Sequence, residues 1–316
     1  MVKSKVENNH MTVSDVRLIN ILIATYNGAK YLPEQLDSIY RQCHAHFSII
    51  VRDDCSSDET IQILNKEAKR SNLVVLYGQR NLGPAKNFFT LLEKADPEAD
   101  YFAFCDQDDI WLEDKLQRAV MKLAKADMGL PLLYCGPVIY ATEACVPIRQ
   151  SSIPNSIDFG NALIENVITG CTIVMNKSAR NLIINNTPEN CLMHDSWCYL
   201  VISCFGSILY DSQPKILYRQ HSKNYFGVSD SLWGAVKKRI GRIYNRNELG
   251  FHRQAEEFLK LYKNDMAVDK LELIFNFVGA KYSLIQRLKL AFNRRIYRQH
   301  YLDDFLFRIL VLFNRY

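Results

Sequence analysis

No run of about 20 consecutive apolar residues occurs in this 316-residue chain, so a membrane-spanning helix is not expected. Residues 1–16 are polar, carry Lys3, Lys5 and Glu7, and lack the apolar core of a signal peptide, so none is expected there. There is no Cys-x-x-Cys pair among Cys43, Cys55, Cys105, Cys135, Cys145, Cys171, Cys191, Cys198 and Cys204, and no spacing suited to structural zinc. Several of these thiols sit in apolar surroundings and read as buried and reduced, as in a cytosolic protein. A glycine-rich phosphate loop is missing as well, since Ala24 to Ala29 supplies Gly28 alone. No internal repeat and no low-complexity tract interrupts the chain. Its basic residues come without a recognised nucleic-acid-binding fold, so nucleic acid is not an expected partner.

What remains is the composition of an ordinary globular protein, with 48% hydrophobic and 23% charged residues. The net charge of +5 is unevenly spread. Ser231 to Tyr316 holds 17 Lys/Arg against 8 Asp/Glu, which leaves 22 against 26 for the rest. An acidic part able to hold a cation and a basic part able to meet an anion are therefore expected.

The first 125 residues alternate between two periodicities. Ile19 to Thr25, Phe47 to Val51, Leu73 to Tyr77 and Tyr101 to Cys105 are short apolar runs that predict buried strands. Between them lie helical patterns: Leu32, Leu36 and Ile39 after Pro33; Ile61, Leu64 and Ala68 after a Ser56-x-x-Glu59 capping box; and Phe88, Leu91 and Leu92 after Asn81-Leu82-Gly83-Pro84. Leu112, Leu116, Val120 and Leu123 mark a fourth helix. This alternation predicts right-handed βαβ units and a mainly parallel sheet. Further on, Leu132 to Tyr140 reads as extended, Gly170 to Asn176 and Lys215 to Arg219 as strands, and Ser178 to Ile184 and His194 to Cys204 as helices. Beyond Gly227 the chain reads as helical, basic and aromatic.

Ligands of such sheets bind beyond the carboxyl ends of the strands, and there the polar clusters fall. Asp106-Gln107-Asp108-Asp109 packs three carboxylates into four residues, which repel unless a cation neutralises them. Oxygen ligands with open positions suit Mg²⁺ or Mn²⁺; a solvated turn capping the next helix is the alternative. Asp53-Asp54 could accept hydrogen bonds from a base or a ribose, or simply cap a helix. Asp195 in His194-Asp195-Ser196-Trp197 could be a general base near an acceptor hydroxyl, or again a cap. In Tyr218-Arg219-Gln220-His221-Ser222-Lys223, the cations Arg219 and Lys223 could meet phosphate and a neutral His221 could ligate a metal, unless this is an exposed strand end. Lys237, Lys238, Arg239, Arg242 and Arg246, and later Arg287, Lys289, Arg294, Arg295 and Arg298, interleave with apolar residues. Basic amphipathic helices at an anionic membrane surface would read this way, and so would a helical cap or dimer surface.

In order and spacing, Ile23 to Gly28, Arg52 to Asp58, Asn81-Leu82-Gly83, Asp106 to Trp111 and the late Asp195 resemble glycosyltransferase family 2 across about Leu18 to Gly227. The Asp-Gln-Asp-Asp-Ile-Trp form, with Tyr-Arg-Gln-His later, is similar to its bacterial rhamnosyltransferase-like members of surface polysaccharide synthesis. The resemblance implies a GT-A (Rossmann-like) α/β fold, a mixed, mainly parallel sheet flanked by helices, with a basic C-terminal helical extension. It implies three regions: a flexible N-terminus over 1–17, the transferase domain over 18–227, and a basic amphipathic region over 228–316. It also implies an inverting, metal-dependent enzyme moving rhamnose, or else a hexose, from a nucleotide-sugar to a glycan or lipid-linked acceptor. The implied roles are base contacts from Tyr26, the Ala24 backbone and Asp54, a supporting Asp53, and a ribose contact from Asp106. Asn27, Lys86 and Arg219 join them as donor-binding residues, Lys86 standing where relatives often carry arginine. Asp108 and His221 would hold Mg²⁺ or Mn²⁺, and Asp195 would be the catalytic base. Without Gln-x-x-Arg-Trp, single-sugar addition is expected. The location implied is cytoplasmic, peripheral to the inner face of the membrane, and a homo-oligomer stays open. A sugar-phosphate nucleotidyltransferase or a non-catalytic nucleotide-sugar-binding scaffold are the competing readings.

Overall fold

The computed structural model describes residues 17–43, 46–71, 73–127, 129–221 and 247–316. The expected βαβ series is there. Strands β1 (Ile19–Thr25), β2 (Phe47–Asp53), β3 (Leu73–Tyr77) and β4 (Tyr101–Asp106) alternate with helices α1 (Leu32–Tyr40), α2 (Thr60–Ala68) and α3 (Pro84–Lys94). Strand β1 pairs in parallel with β2 and β4, and β2 with β3. In this register Ala24 lies opposite both Arg52 and Asp106, and Thr25 opposite Asp53. The carboxylates that end β2 and β4 are therefore brought to one edge, either side of β1.

The alternation within β1 shows why both faces are covered. Ile19, Ile21 and Ile23 belong to one apolar cluster with Ile39, Val51, Trp111 and Leu116, while Leu22 belongs to another with Phe88, Phe104 and Trp197. Strand residues point alternately to the two faces, so a chain with apolar residues at both parities needs helices on each side.

After β4 the chain departs from simple alternation. Ile110–Trp111 forms a short strand, β5, where a helix was expected directly after Asp109; α4 begins only at Lys115 and runs to Leu123. Then follow β6 (Leu132–Cys135), β7 (Ile139–Ala141), β8 (Pro147–Gln150), the short α5 (Phe159–Ala162), β9 (Val174–Asn176), α6 (Lys177–Ile184), α7 (His194–Phe205), β10 (Ser207–Tyr210) and β11 (Ile216–Arg219). The main sheet has the order β10-β6-β9-β4-β1-β2-β3, with β9 antiparallel to both neighbours; β5, β11, β7 and β8 form a second, four-stranded sheet. The strand expected over Gly170 to Asn176 is shortened because Gly170–Thr172 is a 3₁₀ turn. Gly170 lies so close to His194 that a Cβ there would stand 2.6 Å from the ring nitrogen.

The expected capping box is not formed either. Helix α2 starts at Thr60 without a side-chain cap from Ser56, whose hydroxyl donates instead to Asp53 Oδ1. From Asn247 the chain is helical: α8 (Asn247–Tyr262), α9 (Val268–Gly279), α10 (Leu284–Phe292) and α11 (Tyr301–Leu312). Phe258 and Tyr262 of α8 stack around Trp197 of α7, so these helices continue the core of the α7 face. Residues 1–16 and the boundary at 227 lie outside the described residues, as do Lys223, Lys237, Lys238, Arg239, Arg242 and Arg246.

Trp197 is wholly buried at this junction. Trp197→Ala is expected to lower unfolding free energy by about 3–5 kcal/mol, measured by denaturant titration.

Candidate active site

The Asp-rich turn is held from below and clamped from the side. Gln107 accepts from the Tyr26 backbone N–H at 2.9 Å and donates to the Tyr26 carbonyl at 3.0 Å, tying the end of β4 to the loop after β1. Glycine at position 28 is needed for this clamp, since a Cβ there would lie 2.1 Å from Gln107 Oε1. With its backbone held, Tyr26 leaves its ring half exposed at the strand edge. Asn27 adopts a left-handed φ of 49°, a conformation asparagine tolerates better than most residues. Its side-chain oxygen accepts from Ser57 N at 2.8 Å and its N–H donates to Ser56 Oγ at 2.8 Å. Asn27 thus shapes the loop.

The three carboxylates of the turn, grouped together by sequence, take different environments. Asp108 faces His221, with Oδ2 and Nε2 3.0 Å apart, and the His221 ring stacks on Tyr31 with centroids 4.8 Å apart. Tyr31 in turn donates to Glu143 at 2.7 Å. Asp109 points inward beneath the turn, accepts from Arg219 N at 3.2 Å, and leaves its other oxygen without a partner. Burial, with the charges of Asp108 and Asp106 adding to it, pushes its pKa far up. Buried Lys115 lies below, its ammonium 3.6 Å from the centroid of Trp111, and burial lowers it to about 8.

Asp106 meets no hydrogen-bond donor to its carboxylate among the described residues. Burial, then Asp108, then Asp195 raise its pKa to about 8. That last cause links the end of β4 to the start of α7: Asp195 is close enough for its charge to be felt. Asp195 accepts from Ser196 N at 2.7 Å, and burial raises it to about 6 against the hydrogen bonds that favour the anion. Its neighbour His194 is packed between Phe88, at 4.0 Å, and Phe104, at 5.1 Å, and burial lowers it to about 3. His194 is a neutral wedge that fixes α7 against α3, and it does no acid–base work at neutral pH.

Asp53 and Asp54 are both buried. Asp53 accepts from Thr25 Oγ1 at 3.0 Å, Ser56 N at 2.8 Å and Ser56 Oγ at 2.5 Å. For Asp54 the free acceptor that a base would require is not what the structure offers. Its oxygens take Arg52 Nη1 at 2.6 Å, Leu82 N at 2.9 Å and Gly83 N at 2.8 Å. It anchors the Asn81–Gly83 turn to β2. Arg219 is engaged in the same way. Its guanidinium donates to the Asp108 carbonyl at 2.8 Å, to Glu34 at 2.5 Å and to the Glu143 carbonyl, so it braces the turn. Lys86 stands exposed on the first turn of α3, on the wall of a cleft of about 340 Å³ that also includes Cys191, Met193 and Arg253.

These residues fit a divalent cation. Asp108 and His221 offer an oxygen and a nitrogen side by side, and Asp106 adds a carboxylate that the protein leaves without a donor. Asp106, Asp109 and Cys171 also have ligand-type atoms within 4.8 Å of one another, with one oxygen of the buried Asp109 accepting from Arg219 N. Reading by motif missed Gln107, Tyr31, Glu143 and Arg52, which hold the functional groups by backbone or ring contacts; only the position of Gln107 between two aspartates hinted at its part.

A parallel βαβ sheet with carboxylates gathered at its β1–β4 edge defines a nucleotide-sugar-type transferase architecture, the GT-A fold. Comparison with known proteins makes the assignment specific: the glycosyl transferase family 2 model matches residues 20–172. The dTDP-rhamnosyl transferase RfbG of Shigella flexneri is 31% identical over 237 residues, covering 71% of this chain and 80% of that protein. The chain belongs to glycosyl transferase family 2 and is a glycosyltransferase. Among solved structures, Staphylococcus aureus TarS residues 1–349 in complex with UDP-GlcNAc superposes with a TM-score of 0.54 at 18% identity, covering 93% of this chain and 90% of that one. The mannosyltransferase PcManGT of Pyrobaculum calidifontis, in complex with GDP-Man and Mn²⁺, gives 0.52 at 16% identity, covering 94% and 85%. These two likenesses bear on the fold.

Gln107→Ala removes both clamps on Tyr26. It is expected to cost about 1–3 kcal/mol in stability and to weaken Mn²⁺ binding, the latter read by electron paramagnetic resonance titration of the free ion.

Proposed function

We propose that the protein transfers one sugar, with inversion, from a nucleotide-sugar to an acceptor hydroxyl in bacterial surface polysaccharide synthesis. The observation that carries this reading is Asp195 in the first turn of α7: a carboxylate with its pKa raised to about 6, near enough to Asp106 at the end of β4 for its charge to raise that carboxyl's pKa. A base poised near neutrality is what deprotonation of a hydroxyl needs. The acceptor proton passes to Asp195 as the acceptor oxygen attacks the anomeric carbon, and the bond to the nucleoside diphosphate breaks. A single displacement inverts the centre, so one base is enough, whereas a retaining double displacement needs a nucleophile as well.

A divalent ion, Mg²⁺ or Mn²⁺, would be held by Asp108 and His221 and would neutralise charge on the departing diphosphate. On this reading Asp106 would contact the ribose, and the half-exposed Tyr26 ring and the Ala24 backbone would contact the base. Asn27, Asp53, Asp54 and Arg219 keep these groups in position. Lys86, in the first turn of α3, supplies a point charge beside the cleft. Two relatives of this fold carry different donors in their names, UDP-GlcNAc and GDP-Man, so the fold leaves the sugar open; the similarity to a dTDP-rhamnosyl transferase supports rhamnose. Nine cysteines held as free thiols support a cytoplasmic site of action, and a lipid-linked acceptor would place it at the inner face of the membrane.

Asp195→Asn is expected to reduce transfer by about 10²–10⁴-fold while leaving donor binding in place. In the wild type, kcat/KM should fall about tenfold per pH unit below about pH 6, because protonated Asp195 cannot accept the hydroxyl proton. A flat acid limb, or full turnover in the asparagine variant, would remove Asp195 from the role of base.

A further inference from the structure

The C-terminal helices carry an apolar face that the rest of the described chain does not cover. Leu284, Leu288 and Phe292 repeat at four-residue spacing on α10 with Ile285 beside them, and Tyr301 and Phe305 stand on α11; all six are between 45 and 79% exposed. The opposite sides of the same helices are buried through Leu290, Ala291, Phe307 and Val311, so the exposed set is a face and not an unfolded segment. Isolated exposed apolar residues need no explanation, but a clustered set of large ones marks a binding surface.

The cations of these helices are divided. Of those expected at this surface, Arg295 pairs with Asp269 at 3.2 Å and Arg298 lies over Phe307; Arg308, not among them, donates to the carbonyls of Ala291, Asn293 and Ile296 at 2.8 to 3.2 Å. These staple the helices together. Lys289, one turn beyond Ile285, and Arg294, just past Phe292, form no ion pair or side-chain hydrogen bond among the described residues. The face is thus apolar at its centre with free cations at its rim.

We infer that this α10–α11 face lies on an anionic lipid bilayer, inserting its aromatic and aliphatic side chains at headgroup depth while Lys289 and Arg294 meet the lipid phosphates. Charge decides between occupants. A second copy would bring a C-terminal quarter with 17 Lys/Arg against 8 Asp/Glu against its like. The chain's own segment 222–246, with six Lys/Arg and one Asp, has the same sign. An anionic bilayer offers both the apolar depth and the opposite charge. The inference deepens the proposed membrane-side action and rests on that reading only for which leaflet is met.

The test is co-sedimentation of the full chain with vesicles of phosphatidylcholine alone and with about one third phosphatidylglycerol. The wild type should pellet with the anionic vesicles and at least about tenfold less with the neutral ones. Ile285→Glu/Phe292→Glu/Phe305→Glu should lose about tenfold or more of the anionic binding, with its helical circular dichroism kept; Ile285→Ser/Phe292→Ser serves if the triple variant misfolds. Wild-type protein that stays in the supernatant with every vesicle, or variants that pellet as well as it does, would overturn the inference. So would a concentration-dependent dimer, seen by sedimentation velocity, that the same substitutions abolish. Donor hydrolysis measured on the same samples keeps the two readings apart: vesicle binding without hydrolysis of any donor counts against the catalytic reading alone.

Discussion

Mutual repulsion among carboxylates is the constraint around which this molecule is arranged. Asp106, Asp108 and Asp109 follow one another at the end of a buried strand, and Asp195 is brought in from a helix some 90 positions later. Each is raised or answered in a different way: Asp109 by burial that pushes its pKa well up, Asp108 by the imidazole of His221, Asp106 and Asp195 by pKa values pushed to about 8 and about 6. Left to itself such a cluster would splay apart. Arg219 beneath the turn, buried Lys115 and the Gln107 clamp on Tyr26 prevent it, at the cost of keeping a cation-sized demand in the site. On the proposed reading, a divalent ion bound together with a diphosphate would relieve that demand.

The rest of the fold serves that edge. Parallel pairing puts Thr25, Asp53 and Asp106 at neighbouring strand ends, because β1, β2 and β4 run the same way through a core apolar on both faces. The stacking of Phe88, Phe104 and His194 then fixes α7 so that Asp195 arrives at the same edge. Trp197, two residues on, locks this helix to α8, so the C-terminal helices hold Asp195 in place as well as carrying their own outer surface.

Much of this was legible in the sequence, and the reasons differ by element. Ile19–Thr25 and Leu73–Tyr77 were expected with the bounds they have, since short apolar runs between polar breaks leave little choice. Of the second sheet, β11 was expected within Lys215 to Arg219, whereas β5 and β8 were not, being two and four residues long without a periodicity of their own. The polar clusters were located correctly, but their orientation was hidden. A cation at a strand end looks the same whether it reaches for phosphate or, as Arg219 does, for backbone carbonyls. Likewise Asp54 gave no sign that backbone N–H groups of Leu82 and Gly83 would occupy its oxygens. Ser56 looked like a helix cap and proved to be a link between Asp53 and Asn27, contacts that depend on a strand pairing no local pattern encodes.

The claim at the centre of this account is that the Asp108–His221 pair forms, with a divalent ion, the seat of the donor diphosphate. Isothermal titration of UDP, GDP and dTDP into the protein, with Mn²⁺ and then with chelator, tests it most directly. The account predicts that at least one of the three binds only with Mn²⁺, and that Asp108→Ala loses this binding although the protein stays folded. Equal affinity with and without the metal, or in wild type and Asp108→Ala alike, would contradict it.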